Sequence, residues 1–350
     1  MLDMRGPFAR YIQSVAVREE WRNRGVGRKL IGFAEEQKNT ITRQVPVNRQ
    51  WVAEVEVSTQ LAQLLIKEQF PECAPVRIEA LGDGWDNTAY LINNTWVFRF
   101  PRRQIAVELL ETENRVLPLI APLLPLPVPV PLFTGKPSES YRWPFSGYRL
   151  IEGETACSLA LCPGERIQLA PALARFLRAL HDMPVEKTSG ADPDKIHRLD
   201  LEKRVPHLFG CLDNLAEKGF IRDSTHIKRF VRRIRPRPVP SRITLVHGDF
   251  YARHLLLDGN SGAAGVIDWG DLHIGDPAID IAIACSFLPR EGRSVFRELY
   301  GDIDEYTWDL ASFKALYTTI MLLSYAYDKK EGTLIKEANT ALQLILDDEK

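Results

Sequence analysis

The feature that most restricts how this 350-residue chain can fold is a β-rich island inside a helical half. From about Leu169 onward apolar residues recur mostly at helical spacing, but residues 243–271 break that period. Short apolar runs alternate there with polar turns, in Leu245-Val-His-Gly-Asp249 and Gly265-Val-Ile-Asp-Trp-Gly-Asp271. Each run delivers an aspartate at a turn, and Asp249 and Asp268 stand 19 positions apart. Upstream the signals are different. Residues 52–70 have helical spacing with Ser58 as a cap, and residues 77–81, 89–92 and 96–100 read as strands with Asn93-Asn94 as a hairpin turn. Residues 108–120 read as a helix and 148–151 as a strand. Strands first and helices later predict an α+β chain, with a small mixed lobe followed by a larger helical one.

Composition narrows the class. Forty-five Lys/Arg against 46 Asp/Glu leave a net charge of -1, which argues against a dedicated nucleic-acid binder. The balance is uneven, because ten of those basic and five of those acidic residues fall in residues 1–50. The basic run at residues 228–237 lacks interleaved aromatics and reads as a solvated helix end and connector. Residues 116–133 are almost wholly apolar, yet six prolines there forbid a continuous helix and hence a bilayer span. Five scattered cysteines without a CxxC predict reduced thiols and a soluble, cytoplasmic protein.

Two carboxylates at successive turns suit phosphoryl transfer, which needs positioning and charge neutralisation more than covalent help. Asp249 suits the group that orients or deprotonates an attacking hydroxyl, and Asp268 the ligand of a Mg²⁺ ion on the nucleotide phosphates. His254 stands five residues beyond Asp249 as a second metal-facing group. The order His247-Gly-Asp249, His254, Asp268-Trp-Gly270 and Gly275-Asp-Pro-Ala-Ile-Asp280 resembles the aminoglycoside and macrolide phosphotransferase family. The resemblance covers roughly residues 52–345 and implies a protein-kinase-like, two-lobed fold acting on hydroxyls of small molecules.

It extends upstream. Leu81-Gly-Asp-Gly-Trp-Asp-Asn87 lies between two strands, where the family carries its nucleotide-covering loop. Gly82, Asp83, Gly84 and Asn87 are the candidates to meet phosphates there. The position of the family's phosphate-binding strand lysine falls on Arg99, which keeps the charge and adds a fork. The helix acid paired with that cation falls on Glu113, with Glu108 and Glu111 as rivals. Leu150 and Ile151, before Glu152-Gly153, match the hinge whose backbone meets the purine. His247 is expected to brace the catalytic loop, and Asp276 to order the turn before the next helix. Asp271 and Asp280 are each placed evenly between the cleft and a structural role, and His181-Asp182 is read as structural.

The commoner family motif has Asn where His254 stands. Macrolide phosphotransferases carry histidine, which tilts the acceptor toward macrolides and the donor toward GTP, with ATP still open. Mg²⁺ prefers oxygen ligands, so a water-mediated role for His254 and a nucleotide-binding pseudokinase both stay open. In residues 1–50, Ser14-Val-Ala-Val17 followed by Arg22-Asn-Arg-Gly-Val-Gly27 resembles the pyrophosphate-binding motif of GNAT acetyltransferases. The rest of such a domain has no sequence to come from, so a truncated fusion remnant is expected, with an acetyl-CoA enzyme as the alternative. The expected organisation is a vestigial fragment at 1–50, an N-lobe at 51–151 and a C-lobe at 152–350, in a monomer that takes a small-molecule hydroxyl substrate.

Overall fold

The computed structural model describes residues 53–347, apart from 84–85, 189, 222–223, 235–241 and 261. Glu54–Lys350 forms one compact unit. The acetyltransferase-like segment lies outside the described residues.

The N-terminal lobe is built on helix α1 (Thr59–Gln69) and an antiparallel sheet of β1 (Ile78–Asp83), β2 (Asn87–Ile92), β3 (Trp96–Pro101), β4 (Pro131–Gly135) and β5 (Phe145–Arg149). Strand order is β1-β2-β3-β5-β4. Ser58 caps α1, accepting from Leu61 N at 3.2 Å. Asn93 and Asn94 turn β2 into β3 at φ 53° and 52°, the left-handed pair that a type I′ hairpin requires. Asn93 also fixes the turn, because its amide donates to Cys73 O at 2.8 Å.

Alternation assigns the two faces of the sheet. Phe98, Phe100, Phe133 and Phe145 face α1 in an aromatic core, with Phe100 and Phe145 stacked at 4.6 Å. Gly147 leaves room for it: a Cβ there would lie 2.6 Å from the Phe98 ring. Arg99 points to the opposite face, toward helix α2 (Gln104–Ile120). That helix begins four residues earlier than the sequence pattern suggests and runs through Pro118 before the chain becomes extended. The strand expected at 148–151 is likewise shifted, to Phe145–Arg149, because it pairs with β3 through Ser146 to Arg149.

The C-terminal lobe contains α3 (Pro163–His181), α4 (Leu201–Glu217), α5 (Thr225–Arg233), α6 (Ala278–Phe287), α7 (Arg290–Tyr300), α8 (Glu305–Lys329) and α9 (Gly332–Asp347). The β-rich island forms two small sheets against these helices. In one, β7 (Thr244–Val246) pairs with β10 (His273–Gly275); in the other, β8 (Leu255–Leu257) lies between β6 (Glu154–Thr155) and β9 (Ala263–Val266). Helix α8 is buried on nearly every side from Leu310 to Leu323, the pattern of a central helix. The basic run beyond Lys228 closes α5, with Lys228 and Arg232 lying over the Phe209 ring. Among the described residues no helix is long and apolar enough to cross a membrane.

Candidate active site

The turn after β7 is held by a carboxylate from α6. Asp280 is fully buried and accepts from His247 N at 2.7 Å and Gly248 N at 2.9 Å. Its Oδ2 also lies 3.2 Å from His181 Nε2, whose ring partners the Tyr300 hydroxyl on the other side. Desolvation works against the charge, but these donors and His181 hold Asp280 below the usual carboxylate range. Asp280 therefore faces inward and aims the loop rather than reaching the cleft, which resolves its even placement from sequence. His181 is structural in the same network.

Gly248 makes the turn possible. Its φ is 88°, and a Cβ there would come within 2.1 Å of Asp271 O. Gly248→Ala combines a left-handed strain with a backbone collision, so it is expected to destabilise the fold by about 1–3 kcal/mol. The shift in urea midpoint checks this, with the neighbouring solvent-open Gly259→Ala as control.

His247 is buried and its Nε2 lies 3.0 Å from Ile267 O. A carbonyl only accepts, so Nε2 carries the proton and Nδ1 accepts from Asp249 N at 3.3 Å. Burial pushes the imidazole down to about 4, so it is neutral at working pH. It also packs 4.7 Å from the buried Trp269 ring, whose N–H is satisfied by Val266 O.

Asp249 then projects into the cleft with a quarter of its side chain exposed, 25%. Desolvation in the cleft walls raises its carboxyl above the ordinary range; His254 and Lys314 oppose this, and Asp271 and Asp268 reinforce it. Across from it, Asp268 sits at φ 65° with a half-exposed side chain. A non-glycine in that region is strained and worth reading functionally. Desolvation opposes its ionisation, but His254, Arg99 and His247 hold it below the usual carboxylate range. His254 lies between the two acids. Its Nδ1 donates to Asp249 O at 2.7 Å, which leaves Nε2 facing Asp268 Oδ2 at 3.3 Å.

The N-lobe adds a cation. Arg99 Nη1 donates to Glu113 Oε2 at 2.8 Å, while Nη2 stands 3.5 Å from Asp268 Oδ1. Of the three acids considered on α2, Glu113 is buried and makes this pair, whereas Glu108 and Glu111 are exposed. The guanidinium stays charged at every working pH. Desolvation nevertheless outweighs its attraction and raises Glu113 to about 7.

The remaining candidates divide. Gly82, at φ 143°, follows a bulge in β1, and a Cβ there would meet nothing within 4 Å. Asn87 Oδ1 is buried without a hydrogen-bond partner among the described residues. Asp83 ends β1, and Gly84 lies outside the described residues. Leu150 spends its N–H on Thr95 O at 2.7 Å, so only its carbonyl is left for a purine. Ile151 packs on β9, where a Cβ at Gly265 would lie 2.6 Å from its Cγ2. A cleft of ≈ 360 Å³ borders Arg149, Leu150, Ile151 and Glu152, but none of Arg99, Glu113 or Asp268 lines it. Asp276 accepts from Ala278 N at 2.8 Å, ordering the start of α6.

Several site residues were not singled out from sequence. Arg198 bridges Asp194 and Asp271, so Asp271 is engaged in an ion pair rather than free. Tyr148 lies near Arg99, Glu113 and Asp268, with burial raising its hydroxyl to about 12. Lys314 of α8 is buried beside Asp249. Its one sequence signal is a lone charge in the apolar run Leu310-Ala-Ser-Phe-Lys-Ala-Leu316.

An antiparallel-sheet lobe above a helical lobe, with two aspartates presented by turns at their junction, defines a kinase-like fold. The chain belongs to the phosphotransferase enzyme family, whose model matches residues 77–316. It is 32% identical over 152 residues to an aminoglycoside 3'-phosphotransferase from Streptomyces fradiae, covering 41% of this chain and 48% of that protein. The chain thus spans about half the length of that relative. It also matches the uncharacterized protein YcbJ of Bacillus subtilis (strain 168), 24% identical over 61% of this chain and 70% of that one. Among solved structures, the GDP complex of wild-type aminoglycoside 2'-phosphotransferase-IIIa superposes with TM-score 0.62 at 23% identity, over 83% of this chain and 100% of that one. Macrolide 2'-phosphotransferase type I gives TM-score 0.53 at 21% identity, over 83% and 98%. At these identities the structural likeness establishes the fold.

Proposed function

We propose that this chain transfers the γ-phosphate of ATP or GTP to a hydroxyl of a small molecule, with Mg²⁺ as the metal. The observation that carries this reading is the pair Asp249 and Asp268, brought together at successive turns with His254 between them, 3.8 Å from one carboxylate and 3.3 Å from the other. The acceptor oxygen attacks the γ-phosphorus as the bond to the β-phosphate oxygen breaks, and the nucleoside diphosphate leaves. The hydroxyl proton passes to Asp249 as the new bond forms, and orientation of that hydroxyl matters as much as basicity because the transition state is loose. Arg99, fixed by Glu113, would meet the phosphates from above. The Gly82–Asn87 hairpin would cover them, and Asn87 Oδ1, without a hydrogen-bond partner among the described residues, is a polar atom that a ligand donor would satisfy.

The donor set fits magnesium. Among the described residues no cluster of three or more His, Cys, Asp or Glu could hold a metal by itself. Mg²⁺ does not need one, since it is usually held by one or two carboxylates together with substrate phosphates. Asp268 supplies the hard oxygen and His254 the adjoining polar edge. A magnesium ion there would neutralise charge on the phosphates. Asp268→Ala is expected to weaken nucleotide binding in the presence of magnesium by roughly tenfold or more, and to remove the difference between magnesium and EDTA. Nucleotide titration followed by fluorescence checks it; unchanged magnesium dependence would sink the assignment.

An aminoglycoside or macrolide acceptor is supported by the relatives' own names, and GTP by a fold neighbour solved with GDP. His254 favours the macrolide side of that choice. The five free thiols suit a cytoplasmic protein, and we place it there as a monomer without nucleic-acid or membrane partners. Phosphate transfer from ATP and GTP to aminoglycosides, macrolides and amino-alcohols tests the reading. Magnesium-dependent nucleotide binding without transfer to any of them would identify a pseudokinase instead.

A further inference from the structure

Helix α2 starts against its own local rules. Its N-cap residue is Arg103, whose side chain makes no capping bond, and no acidic residue stands in its first turn. Ser, Thr, Asp and Asn are the residues that satisfy a bare helix start, and a cation there opposes the helix dipole. The carboxylates at this start come from elsewhere in the chain. Glu54 Oε1 accepts from Gln104 N at 3.1 Å, and Asp86 Oδ1 accepts from Arg103 Nη1 at 3.1 Å. The second pair is largely buried, with 11% of the arginine side chain and 20% of the aspartate side chain exposed. It therefore escapes much of the solvent screening that makes surface ion pairs weak.

Asp86 lies in the Gly82–Asn87 hairpin, and that position gives the pair a role. The returning leg of the hairpin is tied twice to the β3–α2 junction. One tie is the Asp86 carboxylate; the other is the Asp86 carbonyl, which accepts from Arg102 N at 2.7 Å. From there Asn87 pairs with Pro101, and Ala89 pairs with Arg99. The junction itself is anchored, since the Tyr141 hydroxyl donates to Pro101 O at 2.6 Å and Trp143 Nε1 to Gln104 Oε1 at 3.1 Å. The outgoing leg is less regular: the register slips between Ala80 and Gly82, and Leu81 is half exposed. Arg103 thus holds the hairpin from one side, next to the strand that presents Arg99.

We propose that the Asp86–Arg103 pair is a latch that sets the hairpin over the donor phosphates, which makes both of them positioning residues for the nucleotide. The inference rests on the phosphotransferase reading above and adds what holds its phosphate cover in place. A nucleotide then meets a hairpin already held down. Loss of the latch weakens donor binding in proportion to the fraction of molecules whose hairpin has lifted.

Arg103→Ser separates this role from a purely structural one, because serine is the better cap for α2. The full-length variant should melt no lower than wild type, yet bind ATP and GTP in magnesium roughly fivefold more weakly. Calorimetric titration reads the affinity. Hydrogen exchange at the Arg102 amide, measured on the full chain without nucleotide, reads the lifting of the hairpin. Exchange there should quicken in both Arg103→Ser and Asp86→Ala. The double variant should lose no more affinity than the weaker-binding single one, because the two residues act through one contact. Arg103→Lys, which keeps the charge, should bind nucleotide more tightly than Arg103→Ser. Unchanged nucleotide affinity in the folded single variants, or losses that add in the double, would overturn the proposal. So would a loss of affinity that tracks a fall in melting temperature. Should Asp86→Ala fail to fold, Arg103→Ser and Arg103→Lys decide by themselves. A wild-type chain that binds neither nucleotide counts against the phosphotransferase reading; quickened exchange in the variants then leaves the latch standing, and unchanged exchange removes it.

Discussion

Asp249→Ala is expected to lower the turnover of phosphate transfer by roughly 10²–10⁴-fold, the range for losing a positioned general base. ATP and GTP should still bind, because Arg99, Glu113 and Asp268 are untouched. The expectation is specific because, among the described residues, the carboxylate makes no hydrogen bond that holds the fold. The loop contacts of this residue run through its backbone, with His254 Nδ1 on its carbonyl and His247 Nδ1 on its amide. Its carboxylate stands 3.8 Å from His254 Nδ1, beyond hydrogen-bonding range. Removing the carboxylate should therefore leave the melting temperature close to wild type. A steady-state assay with the nucleotide affinity measured alongside decides it. Normal turnover in Asp249→Ala would remove the residue from the chemistry.

Asp280→Ala should act in the opposite way, on the fold first and on activity through it. The substitution leaves two buried amides, His247 N and Gly248 N, and the buried His181 ring without their acceptor. Breaking such a buried charged network costs about 3–5 kcal/mol. Chemical denaturation measures the loss, and Asp280→Asn, which keeps one carbonyl oxygen, should lose less. The pH dependence has a definite sign. Asp280 is held below its ordinary value of 3.8, so its contribution is present above that value and fades as pH falls through the lower folded value. The stability gap between wild type and Asp280→Ala should therefore narrow only in strong acid. A gap that stays constant through that range would mean that the carboxylate is not the source of the stability.

The local parts of this molecule were legible from sequence because local rules produce them. Asn93-Asn94 makes a left-handed turn at low cost, Ser58 offers a hydroxyl to a bare helix end, and alternation separates Phe98 and Phe100 from Arg99. Three short motifs in order placed Asp249 and Asp268 at turns of the β-rich island, where the structure has them. The pairings between distant segments were not legible. Asp280 could not be assigned to cleft or core, Arg198 gave no signal, and the choice among Glu108, Glu111 and Glu113 stayed open. These depend on which side of a helix faces a strand from another part of the chain, and local periodicity does not report that.

By itself, the amino-acid sequence determined the two-lobed α+β arrangement, the family and the identity of the two cleft aspartates. The arrangement and the two aspartates follow from spacing within a few tens of residues, and the family from a resemblance carried by three short motifs in order. Only the tertiary structure decided which groups surround those aspartates. Arg99 selects Glu113 because that acid alone of the three is buried beneath β3. Asp280 turns inward because the turn after β7 leaves two buried amides that need an acceptor. Lys314, 65 residues from Asp249 in the chain, becomes its neighbour only when α8 packs through the centre of the C-lobe. The charge beside a cleft carboxylate is set by burial and by long-range packing, and neither exists until the chain has folded.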